Sequence, residues 1–199
     1  MGMMAKRAQR ILAVIIAAIV VVPSMFFGGW TLLAASARAA VSVEIGEQPY
    51  SCSDSAQSTH TDEDGTVIPI IAVNDDLDCT LVFTVLNKSV TAISLQSANF
   101  EGFAGSAWGV TAESMAGVQT TSVDGDAQAR FGDPIVIAGG DSYEFEVALG
   151  EWVPSCPSGE GWGATYSAPA ITASAFAIAG VLETDTAPFG FESGSCSRY

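Results

Sequence analysis

The chain has 199 residues, of which 22 are acidic and 7 are basic, and its formal net charge at pH 7 is −15. Four basic residues lie before Ala40 and every Asp and Glu lies after it, so the part from Ala40 onward holds 3 basic against 22 acidic side chains, a net charge of −19. Such a surface repels phosphate backbones and anionic lipid, which disfavours nucleic-acid binding, and no nucleic-acid partner is predicted. The length of this part fits one domain with one core.

The first feature in chain order is an uncharged apolar run, residues 11–33, which follows Lys6, Arg7 and Arg10. The basic flank predicts that the N-terminus is inside and that everything after Arg38 is outside. A helix over this run is long enough to cross a hydrocarbon core of about 30 Å, and the run is longer than the core of an ordinary signal peptide. These properties favour one N-terminal hydrophobic helix that acts as a membrane anchor.

A second interpretation of the same segment is a leader that signal peptidase removes. Two overlapping small-x-small triplets, Ala35-Ser36-Ala37 and Ala37-Arg38-Ala39, follow the apolar run, and Pro23 interrupts it. Small residues at this spacing are typical of a cleavage site. Residues 1–39 are therefore a signal peptide or a signal anchor, and residues 40–199 are an extracytoplasmic domain that is either secreted or held at the membrane.

The residues after Ala40 have the period of β-strands. Residues 142–149, SYEFEVAL, place four apolar side chains on one face and polar ones on the other, as a half-buried strand requires. With PIVIAGGD before it, the stretch 135–149 is predicted to be a hairpin. In chain order, further strands are predicted at 41–45, 66–73, CTLVFTVLNKS, VTAISLQSANF, 117–123 and 170–183, with a turn at 87–89 and long loops at 46–64 and 151–168.

This pattern predicts an all-β fold, an antiparallel two-sheet sandwich that follows the N-terminal helix. The segments LVFTVLNKSVTAISL and PIVIAGGDSYEFEVAL resemble bacterial immunoglobulin-like domains, in which a strand ends in Asn-x-Ser and a later Gly-Gly-x-Ser turn opens an alternating strand. The resemblance covers about a third of the chain. It implies an immunoglobulin-like sandwich with an adhesion or assembly role at a cell surface, and it carries over no site residue.

Four cysteines, Cys52, Cys79, Cys156 and Cys196, lie after the leader, and no two have the spacing of a zinc or redox motif. An even number on the exported side predicts two disulfides, for which three connectivities are possible. Pairing Cys52 with Cys79 and Cys156 with Cys196 closes two loops of moderate length and is the preferred arrangement.

The sequence contains no established catalytic motif. His60 is the only histidine and lies in the polar stretch STHTDEDG, and Ser106 in FAGSAWG does not fit a nucleophile elbow. A single histidine is also too few for a zinc hydrolase site. The chain is therefore predicted not to be an enzyme, although a carboxylate pair for glycoside hydrolysis has no fixed spacing and stays open as an alternative.

No cofactor is predicted apart from a possible calcium ion. The acidic side chains that could bind it lie in TDEDGT and NDDLDC, on either side of the strand 66–73. Oxygen-rich loops suit a hard cation, but turns also favour Asp and Gly without any metal. The candidate ligands are Asp62, Asp64, Asp75, Asp76 and Asp78.

Three aromatic residues, Trp152, Trp162 and Tyr166, lie in or beside the Gly-rich stretch CPSGEGWGATY. Exposed rings could bind a sugar or a protein, whereas rings that fold back would cap the core. The leading functional hypothesis is a non-catalytic β-sandwich for adhesion, assembly or ligand display, with an unidentified protein or glycan partner at the cell surface. The alternatives are a module that binds carbohydrate or an envelope polymer through these aromatics, and a secreted hydrolase.

Overall fold

The computed structural model of the chain describes residues 28–53, 57–73, 77–104, 110–151, 162–182, 184 and 188–193. Within these ranges one helix, α1 (28–39), runs directly into the first of fourteen β-strands. The strands are β1 (Val41–Cys52), β2 (Gln57–Thr61), β3 (Val67–Ala72), β4 (Asp78–Asn87), β5 (Ile93–Phe100), β6 (Val110–Met115), β7 (Val118–Gln119), β8 (Thr121–Val123), β9 (Asp126–Ile137), β10 (Ser142–Glu151), β11 (Trp162–Tyr166), β12 (Ala170–Ala175), β13 (Ile178–Val181) and β14 (Phe189–Ser193).

The strands form three sheets, and the prediction of an all-β fold is confirmed. Sheet A has the order β1-β4-β10-β6-β7, sheet B has the order β11-β14-β3-β2, and sheet C has the order β13-β12-β5-β9-β8. Neighbouring strands are antiparallel except β14 and β3, which are parallel. The fold is β-sandwich-like, but it has one sheet more than the two that the sequence predicts.

The core forms because apolar side chains alternate along the central strands. Every second residue of β4 is buried, and on β10 the buried side chains are Phe145, Val147 and Leu149, as the period of two predicts. Sheet C supplies the opposing side chains, and the ring of Phe131 on β9 meets that of Phe145 edge to face at 6.1 Å between centroids. Sheets A and C therefore share one hydrophobic core.

An aromatic junction connects the third sheet to the other two. Phe189 on β14 of sheet B lies 5.7 Å, between ring centroids, from both Phe83 of sheet A and Phe100 of sheet C. Phe191, on the same strand, contacts Tyr50 of β1 at 6.2 Å. Rings at these separations pack favourably beyond the area they bury. Sheet B is thus fixed to the sandwich by aromatic contacts.

The predicted hairpin over 135–149 is wrong. Both strands exist, but β9 pairs with β5 in sheet C, whereas β10 pairs with β4 and β6 in sheet A. The Gly139-Gly140-Asp141 turn carries the chain from one sheet to the other. It hydrogen-bonds to the end of β4, where Asn87 N donates to Asp141 O and Gly140 N donates to Asn87 O. These bonds take the place of hairpin pairing.

Two segments that the sequence predicts to be loops contain strands. β1 continues through Gly46 to Cys52 after an irregularity in its pairing with β4, and β2 follows it within the predicted loop 46–64. β11 lies within the predicted loop 151–168. Both segments are rich in Gly, Ser and Thr, and such residues weaken the alternation that identifies a strand.

The helix α1 covers only the C-terminal end of the predicted hydrophobic segment, and most of the apolar run 11–33 lies outside the described residues. Among the residues that are described, no helix is long and apolar enough to cross a membrane.

Candidate functional site

An open cleft with a volume of about 550 Å³ lies where the end of β5 meets the segment between β11 and β12. Its wall combines one tyrosine and one phenylalanine with small residues, three uncharged polar side chains and one carboxylate. The lining residues are Asn99, Phe100, Glu101, Gly102, Tyr166, Ser167, Ala168, Ala170 and Thr184.

Tyr166 is held in place by the aromatic junction. Its ring meets Phe103 edge to face at 4.9 Å and lies nearly parallel to Phe189 at 5.9 Å, both measured between ring centroids. It is half-buried, and this burial raises the pKa of its phenol above the ordinary value. The sequence suggests two roles for Tyr166, packing onto the core and contact with a ligand. In the structure its ring packs onto the core and also forms part of the cleft wall.

The opposite wall is fixed by Asp126, at the start of β9. Its Oδ2 accepts a hydrogen bond of 3.1 Å from Asn99 Nδ2, and its Oδ1 accepts one of 2.9 Å from the backbone N of Gly102. Gly102 has a φ of +77°, which a glycine adopts without strain. Asp126 thus holds the chain turn that carries Glu101.

Of the polar side chains that line this cleft, two are open to a ligand. Glu101 and Ser167 are exposed. Asn99 Oδ1 is buried without a hydrogen-bond partner among the described residues, and Thr184 Oγ1 donates a 3.3 Å hydrogen bond to Ala168 O. Sequence reasoning missed Asn99, Glu101 and Asp126, because their strands come together only through the pairing of β5 with β9 and β12.

The calcium candidates do not form a metal cluster in the part of the chain that is described. Asp62 Oδ1 accepts hydrogen bonds from the backbone N of Asp64, at 3.0 Å, and of Thr66, at 2.8 Å. It therefore stabilises the turn between β2 and β3, which is the ordinary role of Asp in a turn. Asp78 is exposed at the start of β4, beyond β3, and Asp75 and Asp76 lie outside the described residues.

The other sequence candidates are only partly described. His60 is exposed, and it lies on β2 opposite Ile68 rather than in a loop. Trp162 begins β11, whereas Trp152 and Ser106 lie outside the described residues.

One of the two expected disulfides is present, between Cys52 and Cys79. These residues lie directly opposite each other at the end of β1 and the start of β4. The chain leaves sheet A after Cys52, forms β2 and β3 of sheet B, and returns at Cys79, so the bond closes this excursion at its base. Cys156 and Cys196 lie outside the described residues.

These features define the class of the protein as an all-β, disulfide-bonded, β-sandwich-like domain. The chain matches no protein-family model, and no curated protein is significantly similar to it. Function is therefore argued from the geometry of its own residues.

Proposed function

We propose that the chain is a non-catalytic, extracytoplasmic domain with an immunoglobulin-like sandwich, which displays a ligand-binding cleft at the cell surface. The observation that carries this proposal is the cleft beside Tyr166, which presents an aromatic ring and hydrogen-bonding groups on a rigid wall. A preformed concave site with a few oriented polar groups is the usual form of a ligand site. The Cys52–Cys79 disulfide supports an oxidising compartment outside the cytoplasm.

The lining favours a carbohydrate or an envelope polymer as the ligand. Sugars are bound by aromatic rings together with amide, hydroxyl and carboxylate groups that meet their hydroxyls. Tyr166, Ser167 and Glu101 supply three of these kinds of group, a ring, a hydroxyl and a carboxylate, around one cleft. A protein partner that inserts a polar side chain is the competing ligand.

The geometry of Asp126 favours binding over hydrolysis. A glycosidase needs two carboxylates free to act on the glycosidic bond, about 5 Å apart or further depending on the mechanism. Both oxygens of Asp126 accept hydrogen bonds from the cleft wall, which is the arrangement of a structural carboxylate. Glu101 is then the carboxylate that remains available to a ligand.

We also propose that residues 1–39 are a signal anchor and not a cleaved leader. The small-residue triplets lie in α1, whose second half is packed on the folded domain. Ala37, which belongs to both triplets, is only 6% exposed. The Arg38 guanidinium donates a 2.7 Å hydrogen bond to Ile178 O. These contacts support retention of the helix as part of the folded domain.

Binding to insoluble cell-wall polysaccharide tests the ligand assignment. The full chain in detergent is sedimented with the polysaccharide, and a panel of soluble oligosaccharides is used to compete. Glu101→Gln is expected to weaken binding about tenfold or more, since a hydrogen bond to a charged group contributes about 1.5–3 kcal/mol. Ser167→Ala is expected to weaken it about fivefold, since a neutral hydrogen bond contributes about 1 kcal/mol.

Glu144→Gln is the matched control, because Glu144 is exposed on β10, a strand that does not line the cleft. It should bind like the unmodified chain. Equal weakening by Glu101→Gln and Glu144→Gln would contradict the assignment, since it would indicate a response to net charge.

A further inference from the structure

The helix α1 is packed on the hairpin formed by β12 and β13. Ala34 is fully buried and Ala37 nearly so. The Arg38 side chain lies over Gly180, where an added Cβ would be 2.7 Å from Arg38 Nε. Glycine at this position therefore lets the guanidinium reach the carbonyl of Ile178. The helix is a fixed part of the domain along its second half.

The first half of α1 contacts the tip of the same hairpin. Trp30 Nε1 donates a 3.1 Å hydrogen bond to Phe176 O, and the two rings meet edge to face at 5.2 Å between centroids. The start of the helix and the hairpin tip therefore lie side by side.

The hairpin tip holds an exposed aromatic ring in a strained turn. Phe176 and Ala177 have φ values of 51° and 63°, in the left-handed region that Asn and Gly normally occupy in two-residue hairpins. A bulky residue is strained in this conformation. Phe176 nevertheless remains 36% exposed, so the turn presents the ring outward instead of burying it.

Four exposed apolar side chains lie on the first half of α1 and on the hairpin tip, and we call this set the apolar patch: Trp30, Leu32, Leu33 and Phe176, at 41%, 72%, 55% and 36% exposure. The two leucines are more than half exposed to solvent. The chain that enters α1 is itself uncharged and apolar from residue 11 onward. The patch is thus continuous in sequence with a segment suited to a bilayer.

The distribution of charge also favours contact between this part of the molecule and a membrane. The domain has a net charge of −19 from Ala40 onward, yet neither α1 nor the β12–β13 hairpin contains an Asp or a Glu. Arg38 adds a positive charge on this side. This edge of the molecule can therefore approach anionic headgroups, from which the rest of the surface is repelled.

We propose that the apolar patch docks into the interfacial region of the outer leaflet, beside the point where the anchor leaves the bilayer. The proposal rests on the proposed anchoring by residues 1–39. Trp30 takes the position that tryptophan favours at the membrane interface, and Phe176 inserts next to it. The β13 edge of sheet C then faces the membrane, and β8, at the opposite edge, lies about 19 Å away, four strand spacings of about 4.8 Å.

Quenching by brominated lipid tests this docking in the full chain. The four tryptophans, Trp30, Trp108, Trp152 and Trp162, are replaced by Phe, and Phe176→Trp supplies a single fluorophore. The protein is reconstituted into phosphatidylcholine–phosphatidylglycerol vesicles with bromine on the acyl chains. The fluorescence is expected to fall to about half or less of its value in unbrominated vesicles, because the ring reaches the acyl boundary.

Val123→Trp in the same tryptophan-free chain is the matched control. Val123 is 42% exposed and lies directly before a hairpin turn, but on β8, at the far edge of the same sheet. It should show no quenching. Equal emission from Phe176→Trp in brominated and unbrominated vesicles, with the chain still in the vesicle pellet, would overturn docking and leave the anchor intact. Loss of the chain from the pellet would overturn both.

Discussion

At the scale of single residues, Asn87 holds together the corner where the chain twice changes sheet. Its side chain is fully buried, and Nδ2 lies within hydrogen-bonding distance of three carbonyl oxygens, those of Thr91 at 2.8 Å, Ala138 at 3.0 Å and Ile137 at 3.1 Å. Its Oδ1 accepts from Ser89 N and Oγ. Asn87 also begins an Asn-Lys-Ser glycosylation sequon, but its amide is enclosed in the fold.

Replacing Asn87 is expected to cost more than an ordinary surface change. Asn87→Ala removes this donor from the three carbonyls, of which that of Ile137 is buried, so we expect the free energy of unfolding to fall by about 2–4 kcal/mol in denaturant titration. Lys88→Ala is the control, because that side chain is 55% exposed and pairs with the exposed Glu44; it should change stability by less than about 1 kcal/mol. Similar losses for both variants would contradict the role assigned to Asn87.

At the strained turn at the tip of the β12–β13 hairpin, we expect a substitution to raise stability instead of lowering it. Ala177 is exposed with a φ of 63°, so Ala177→Gly removes strain without removing buried surface. We expect the free energy of unfolding to rise by about 0.5–1 kcal/mol. Ala179→Gly is the matched control, since Ala179 is exposed on the neighbouring strand β13 and lacks a positive φ. That change should be destabilising, and a loss of stability in both variants would show that the turn is unstrained.

At the scale of elements, the Cys52–Cys79 bond closes the excursion that forms β2 and β3. The two residues are separated by 27 positions, for which the chain-entropy model gives about 3.5 kcal/mol of stabilisation. We expect Cys52→Ala combined with Cys79→Ala to lose about this amount in denaturant titration. Amide exchange should rise most in β2 and β3, because their connection to sheet A is released. An equal rise in amide exchange in β4 and β10 would contradict this prediction, because it would show that β2 and β3 do not open separately from sheet A.

The same elements show how far the sequence predicts the fold. The alternation of apolar and polar residues predicts β4 and β10 and their buried faces, because their apolar residues repeat at a period of two. The same pattern does not assign the partner of each strand, since the Gly139-Gly140-Asp141 turn suits a hairpin and a change of sheet equally well. An added Cβ on Gly139 would lie 2.5 Å from the backbone carbon of Val90. That close approach of two turns, distant in sequence, is what requires glycine there.

The cleft was less predictable than the fold. Tyr166 was a candidate because it lies beside a Gly-rich stretch, but Glu101 is 65 positions away in sequence and has no motif around it. The pairing of Asn99 with Ala170 and Gln128 brings these parts of the chain together. Sites of this kind depend on strand register, which a single sequence does not specify.

At the scale of the whole molecule, Tyr50 connects two sheets through one buried hydroxyl. It lies on β1 of sheet A, and its OH donates a 2.9 Å hydrogen bond to Gly190 O on β14 of sheet B. The side chain is 5% exposed. Burial raises the pKa of the Tyr50 phenol far above its ordinary value of 10.0, although the hydrogen bond to Gly190 partly opposes this change.

This raised pKa predicts how stability depends on alkaline pH. A group whose pKa is higher in the folded state contributes its full stability below the pKa of the unfolded chain, about 10, and loses it as the pH rises toward the folded value. The free energy of unfolding should therefore fall above pH 10, with Tyr50 contributing about 1.4 kcal/mol per pH unit. Burial also raises the pKa of Tyr166, so Tyr166 adds to the slope in the same direction.

The variant Tyr50→Phe tests this dependence. It should lower the free energy of unfolding by about 1–2 kcal/mol at pH 7, because the hydrogen bond is lost, and it should flatten the slope above pH 10. Denaturant titrations of both proteins between pH 8 and pH 11 measure the two effects separately. Identical slopes would mean that the hydroxyl of Tyr50 ionises within the folded protein, and so that sheets A and B separate before the sandwich unfolds.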